Sequence, residues 1–291
     1  MIRQTKISIG KGFALSQKMG LLFLTSTIIS IAIFAATTHS GLANAQNKTL
    51  MQPTGINSMA TNSTNIILVH GGWGDGSSWT QEIPILEKAG HRVIAVQLPL
   101  HSLADDVATV KHAIDFLGGP VILVGHSYGG MVITNAGHNN PNVKGLVYVA
   151  AFGPQEGQSL GTFVDPSKFP KDFLMPDKAG LAYINPKLFH DWFAQDVNPA
   201  RADVMAVVQK PFNLSIFTEK SGPPAWKQVP TWYQVSENDR MIPPAVEHMF
   251  AKQMNATTIS LPASHASLES HPNEIAQLIL NATRGSSSVG K

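Results

Sequence analysis

Gly125-His126-Ser127-Tyr128-Gly129 is a G-x-S-x-G pentapeptide that directly follows the apolar run Val121-Ile122-Leu123-Val124. A serine hydroxyl becomes a nucleophile only when a neighbouring base takes its proton, and a sharp strand-to-helix turn is the device that exposes it. Small residues are needed two positions before and after Ser127, where side chains would collide in such a turn. The N-terminus of the following helix favours the negative charge that develops on attack. The competing reading is a Gly-Ser turn that only caps a helix; the preceding strand, the spacing and Gly130 argue against it.

An alkoxide attacking a carbonyl needs preorganised donors for the new oxyanion. The N–H of Tyr128, the residue after the nucleophile, is one. The other is expected from His70-Gly71-Gly72-Trp73, the glycine-rich loop after the first core strand, with Gly72 favoured and Trp73 next. A glycine-rich turn without such a role is the plainer alternative, and His70 reads as a structural group hydrogen-bonded within the loop. In this arrangement the partners follow the serine in the order carboxylate, then histidine. After the strand TWYQVS come Glu237-Asn238-Asp239, of which Asp239 is the favoured acid and Glu237 the competitor. Of 11 histidines, His265 stands in the loop after the last strand, in the right order to be the base. His271, at a helix start before Pro272, is the alternative and reads better as a cap or surface group.

These residues must be positioned by a regular scaffold. Ile66-Ile67-Leu68-Val69 is a continuous apolar run, as expected of a strand buried on both faces, and 92–98, 121–124, 145–151, 231–236 and 257–262 read as further strands. Helical patterns lie between them at 77–90, 103–117, 128–138, 244–254 and 272–283. Ser102 is an N-cap followed three residues on by Asp105, and Leu103, Val107, Val110, Ile114 and Leu117 recur at helical spacing. Strand–helix alternation means an α/β fold, a mostly parallel sheet with helices on both faces. The alternation lapses over 153–226, where only 187–210 looks helical. From 152 to 226 the chain carries 11 of its 22 aromatic residues, so this segment reads as an inserted lid. Phe152, Trp192 and Phe193, with Trp73, are expected to contact an apolar substrate group; the alternative is that the lid aromatics form only the lid's own core.

Before the core, Arg3, Lys6, Lys11 and Lys18 precede an apolar run at 21–36 and the small-residue site Ala43-Asn44-Ala45. This is the pattern of a secretory signal peptide at 1–45, cut before Gln46. An uncleaved anchor is the alternative, although a run of 16 residues is short of the roughly 20 that span a bilayer. Export to the periplasm or medium follows as an expectation, without stable membrane insertion after cleavage. Residues 46–64 read as a polar lead-in, 65–152 and 227–285 as the core, and 286–291 as a frayed tail. The whole chain carries 21 basic and 19 acidic residues; without the four basic residues of the leader, three lysines and one arginine, it is 17 against 19, formally −2. No basic field for nucleic acid is present. The absence of cysteine excludes disulfides, thiolate metal sites and a cysteine nucleophile.

Over 65–283 the chain resembles the α/β-hydrolase superfamily, through HGGWGDGSSW, AGHRVIAVQLP, GHSYGG and SHASLESHP. These stretches look like bacterial esterase-type serine hydrolases related to the plant methyl-ester esterase and hydroxynitrile lyase branch. The resemblance implies a six-stranded core with a small lid, a triad of Ser127, Asp239 and His265, and an oxyanion hole at Gly72 and Tyr128. Hydroxynitrile lyases of this branch have lysine after the histidine, where Ala266 stands here; epoxide hydrolases and dehalogenases have aspartate where Ser127 stands. The expected activity is hydrolysis of carboxylic esters of small to medium apolar substrates through an acyl-enzyme, with no metal or organic cofactor. Its partner is then a small-molecule ester. The same triad also serves cofactor-free perhydrolysis of the haloperoxidase kind, or lactone and C–C bond hydrolysis. A ligand-binding receptor with little turnover is a rival of a different class.

Overall fold

A computed structural model describes residues 64–288. The expected signal peptide, nearly all of the lead-in and residues 289–291 lie outside the described residues. The core strands are β1 (Asn65–Val69), β2 (Val93–Ala95), β3 (Val121–His126), β4 (Val143–Val149), β8 (Thr231–Ser236) and β9 (Thr257–Leu261). Between β4 and β8, the inserted segment contributes β5 (Leu174–Pro176), β6 (Leu181–Ile184) and β7 (Phe212–Asn213). All core pairings are parallel, in the order β2-β1-β3-β4-β8-β9. The chain lays β2 on one side of β1 and then crosses to β3 on the other. The carboxyl ends of β1 and β3, in register at Val69 and Gly125, therefore form the point where the strand order reverses. Open parallel sheets bind ligands at such a point.

Each helix packs because one stripe of it is apolar. The helices α2 (Leu103–Leu117), α3 (Tyr128–Ala136) and α6 (Pro244–Gln253) bury Val110, Ile114, Met131 and Phe250 with Ile67, Val69 and Leu123 of one sheet face. On the other face α1 (Ile83–Lys88) and α8 (Pro272–Ser288) bury Leu86, Ile275 and Ile279 with Ile66, Leu68 and Ile122. Ile66 to Val69 are wholly buried on both faces, which is why β1 reads as an unbroken β-branched and leucine run. Each such side chain contributes about 1.5–3 kcal/mol. Ser102 caps α2 as expected, its hydroxyl accepting from the Asp105 N–H at 3.1 Å.

Several boundaries differ from the sequence reading, each for a local reason. The expected helix at 77–90 is a 3-10 turn, Gly76–Trp79, followed by the short α1, because Pro84 at the helix start resets the backbone. The strand at 92–98 keeps only three paired residues; beyond them the Leu98 N–H turns to His70 Nε2 at 3.0 Å. β4 stops at Val149 because Ala150 adopts a φ of 43°. At the other end, α8 runs on through Gly285 to Ser288 rather than fraying, with Gly285 packed against the Trp232 indole.

The inserted segment carries more structure than its sequence suggests. The three strands β5, β6 and β7 form an antiparallel sheet that sequence periodicity does not disclose. The single helical stretch at 187–210 is two helices, α4 (Pro186–Phe193) and α5 (Pro199–Val207). Asn185 and Asn198 cap them and a proline opens each, the ordinary start signal repeated twice. A short helix, α7 (Ser267–Ser270), precedes α8. Among the described residues no helix is long and apolar enough to cross a membrane.

Candidate active site

Ser127 occupies the turn between β3 and α3, with φ 52° and ψ −124°. A non-glycine residue there is strained, and surrounding bonds hold it. Its N–H donates to Val149 O at 3.1 Å, and its carbonyl accepts from Gly130 and Phe152 at 3.0 and 3.1 Å. A Cβ at Gly125 or Gly129 would come within 2.5 Å of a backbone oxygen, so only glycine permits the turn. Ser127 Oγ lies 2.8 Å from His265 Nε2, in the loop after β9. His265 Nδ1 lies 2.6 Å from Asp239 Oδ2, in the loop after β8. The other oxygen of Asp239 accepts from the N–H groups of Met241 and Ile242 at 2.6 and 2.8 Å. An acceptor so placed takes the Nδ1–H of His265, leaving Nε2 free to receive the serine proton. All three side chains are buried.

The alternatives lie elsewhere. Glu237 Oε1 faces outward to His248 Nε2 at 3.0 Å. His271 contacts Ser270 Oγ at 2.8 Å, at the start of α8. His70 is a structural group: it accepts the Leu98 N–H on Nε2 and donates from Nδ1 to Gly71 O at 2.8 Å. Burial lowers its pKa to about 4, so it stays neutral.

Gly72, Trp73 and Tyr128 stand beside Ser127 and His265 in the wall of one cavity of about 270 Å³. Among the described residues the N–H groups of Gly72 and Tyr128 donate to no backbone or side-chain acceptor. Two unspent donors flanking a nucleophile can receive an oxyanion. The cavity wall includes Phe152, Phe169, Phe173, Phe212 and Phe217, and it carries no lysine, arginine, aspartate or glutamate. Trp73 and Phe152, both expected near a substrate group, are part of that wall. Trp192 and Phe193 are not in it; Phe193 lines a smaller neighbouring cavity with Gly72, Trp73 and His126. Trp192 packs behind the lining on Phe169 and Phe173, with ring centroids 5.3 and 5.6 Å apart. Phe193 sits edge-on against the His265 ring at 4.8 Å, and its carbonyl accepts the Ala266 N–H.

The inserted segment is bolted to the glycine loop. Trp73 donates its indole N–H to Ala182 O at 3.0 Å and accepts the Lys210 N–H on its own carbonyl at 3.0 Å. Phe212 packs on both Trp73 and Tyr128. Behind Ser127, the Tyr128 hydroxyl donates to Asp106 Oδ2 at 2.7 Å, and Asp106 Oδ1 takes the Leu100 N–H at 2.9 Å. Burial nonetheless raises the Asp106 pKa. His126, within the serine motif, donates from Nε2 to the His265 carbonyl at 2.8 Å. Burial, then the neighbouring His265, holds its pKa well below the usual histidine range. Neither Asp106 nor His126 was singled out from the sequence; a buried acid on α2 looks like part of a solvated stripe, and a histidine next to a nucleophile has no spacing signal of its own. Among the described residues no group of three or more histidine or acidic side chains could hold a metal ion.

Residues 66–278 match the alpha/beta hydrolase family. The chain belongs to that family. It is 42% identical over 109 residues to a carbendazim hydrolyzing esterase of Nocardioides sp., a match spanning 33% of this chain and 45%, less than half, of that protein. It is 29% identical over 245 residues to a pyrethroid hydrolase of Sphingobium wenxiniae, covering 74% of this chain and 86% of the relative. The crystal structure of a pyrethroid hydrolase from Sphingobium faniae superposes with a TM-score of 0.64 at 25% identity, over 75% of this chain and 96% of that one. For an α/β hydrolase, the six-stranded parallel sheet and the serine at the strand-to-helix turn are the expected frame.

Proposed function

We propose that this α/β hydrolase cleaves carboxylic esters of small to medium apolar substrates through an acyl-enzyme, with Ser127, His265 and Asp239 as its triad. The observation that carries the reading is the hydrogen-bonded chain Ser127–His265–Asp239 opening onto an uncharged cavity that also holds two unspent N–H donors. The relatives named for ester hydrolysis point the same way. His265 Nε2 takes the hydroxyl proton as Ser127 Oγ attacks the carbonyl carbon. Asp239 holds the ring by its Nδ1–H and stabilises the imidazolium. The N–H groups of Gly72 and Tyr128 receive the oxyanion. His265 then protonates the leaving alcohol, and water repeats the sequence to release the acid.

The test is labelling with a fluorophosphonate beside an ester panel graded by acyl length. Label on Ser127 alone, with turnover lost by a factor on the order of 10⁶ in Ser127→Ala, is the expected result. Turnover retained in Ser127→Ala overturns the reading. An absence of label on folded protein also overturns it and brings the ligand-binding alternative forward. Export is part of the same proposal: the protein recovered from outside the cytoplasm should begin at Gln46, and a chain retaining Met1 there would exclude cleavage.

A further inference from the structure

Asp239 has a second carboxyl group behind it. Glu247 lies in the first turn of α6, just after the loop that carries Asp239, and its side chain is wholly buried. Its Oε2 accepts the Ser236 N–H at 2.9 Å. Its Oε1 is buried with no N–H or O–H donor of another residue to receive. The group within hydrogen-bonding reach is the Asp239 carboxylate. Two carboxylates meeting in a buried site cannot both be ionised; one of them holds a proton and donates it to the other. Donor supply decides which. Asp239 receives two backbone N–H groups on Oδ1 and the His265 ring on Oδ2, whereas Glu247 receives one N–H in all. Asp239 is thus the anion and Glu247 the acid.

Resting on the triad assignment above, we propose that Glu247 is a positioning residue, a neutral carboxylic acid whose Oε1–H hydrogen-bonds the Asp239 carboxylate and fixes it against His265. The surroundings favour the neutral form. The ionisable groups facing Glu247 are Asp239, Glu237 and Tyr233, all acidic, and none of the ion pairs among the described residues brings it a lysine or arginine. Burial first, then the Asp239 charge, raises its pKa well above the carboxylate range. The proton it keeps gives Asp239 one more donor without placing a further negative charge beside the imidazole.

Two variants and one spectroscopic reading test this. In Glu247→Leu the donor is lost: kcat should fall about 10- to 100-fold with KM within about twofold, as for other small misplacements of a reacting group. Glu247→Gln presents an amide N–H to Asp239 and a carbonyl to Ser236, so it should recover kcat to within about threefold. Because Glu247 carries no charge, the acid limb of kcat/KM should coincide in wild type and Glu247→Gln. A limb displaced downward in Glu247→Gln would mean that an anion had been removed, and would overturn the proposal. So would a Glu247→Leu protein with wild-type kcat. The infrared difference spectrum, wild type minus Glu247→Gln at neutral pH, should contain a carboxylic-acid carbonyl stretch. Its replacement by carboxylate bands would overturn the proposal whether or not the protein turns over an ester. Failure of the triad reading itself would instead appear as the absence of fluorophosphonate label on Ser127 of the unaltered protein.

Discussion

The imidazole of His126 donates from Nε2 to the backbone carbonyl of His265 at 2.8 Å, so the residue before Ser127 holds the loop that carries His265. The two rings lie 4.9 Å apart, with Phe193 edge-on to both. Burial keeps His126 neutral, which suits a group that donates from one nitrogen without adding a charge beside His265, the base of the proposed mechanism. His126→Leu should leave the His265 carbonyl without its donor and let the loop turn. We expect kcat to drop about 10- to 100-fold with KM little changed, the signature of a misplaced base. Stopped-flow labelling by a fluorophosphonate should slow by the same factor. An unaltered labelling rate would show that the loop is held by other contacts.

The cavity beside Ser127 should discriminate by length and charge. Phe169 and Phe173 stack at 4.6 Å in its wall, and the lining carries no lysine or arginine to pair with a carboxylate. Phe169→Ala removes a ring from that wall and should move the best acyl chain to a longer one. Phe193 touches His265 but not the cavity, so Phe193→Leu should change kcat while the preferred chain length stays where it is. An ester bearing a free carboxylate should react at least about 10-fold less efficiently than its neutral isostere, because its ion would be buried unpaired. Kinetics on a graded ester series checks all three.

Glu82 gives the fold a pH dependence of its own. Its side chain is wholly buried, neither carboxyl oxygen has a donor from another residue, and burial raises its pKa to about 8. The unfolded chain releases this proton near the ordinary value of 4.5, the folded protein only near 8. Between those values the unfolded state binds fewer protons, so stability contributed by this site is full below about pH 4.5 and is lost as pH rises towards 8. The loss is on the order of several kcal/mol by pH 8. Glu82→Gln should flatten this slope. Its urea midpoint should match wild type at pH 4.5 relative to its own baseline and exceed it increasingly at pH 7 and 8. Parallel profiles for the two proteins would mean that Glu82 ionises normally in the folded state.

The scaffold was legible because its determinants are local. Buried parallel strands announce themselves as apolar runs, as at Ile66 to Val69, and Ser102 marks the start of α2 by its own side chain. The motif order brought Ser127, Asp239 and His265 forward, and these three are joined by hydrogen bonds. What escaped was set by tertiary contact. The strands β5, β6 and β7 are two to four residues long and gain their definition from one another, so no periodicity shows them. Trp192 and Phe193 are adjacent to the site in sequence pattern and aromatic content, yet α4 turns one onto Phe169 and the other onto His265. Glu247, on an amphipathic helix otherwise edged with polar groups, reads as a surface acid. Only the fold shows that its carboxyl group points inward to Asp239.

The glycine loop and Ser127 are in direct steric contact, and this makes Gly71 a sharp test of the proposed site's geometry. A Cβ on Gly71 would fall 2.7 Å from the Ser127 Cβ and 3.1 Å from His126 Nδ1. Neither neighbour can yield: Ser127 is held by three backbone hydrogen bonds in its strained turn, and His126 by the His265 carbonyl. In Gly71→Ala the loop itself must therefore lift away from β3. Gly72 moves with it, since both lie in the same short turn, and its N–H leaves the position from which it can reach an oxyanion. The fold should survive, because β1 is anchored along its full length by β2 and β3. The chemistry should not: losing one oxyanion donor costs about 10²–10³ in kcat. Thermal unfolding within a few degrees of wild type, together with a fall of that size in kcat, is the expected outcome. Near-normal turnover in Gly71→Ala would remove Gly72 from the oxyanion hole.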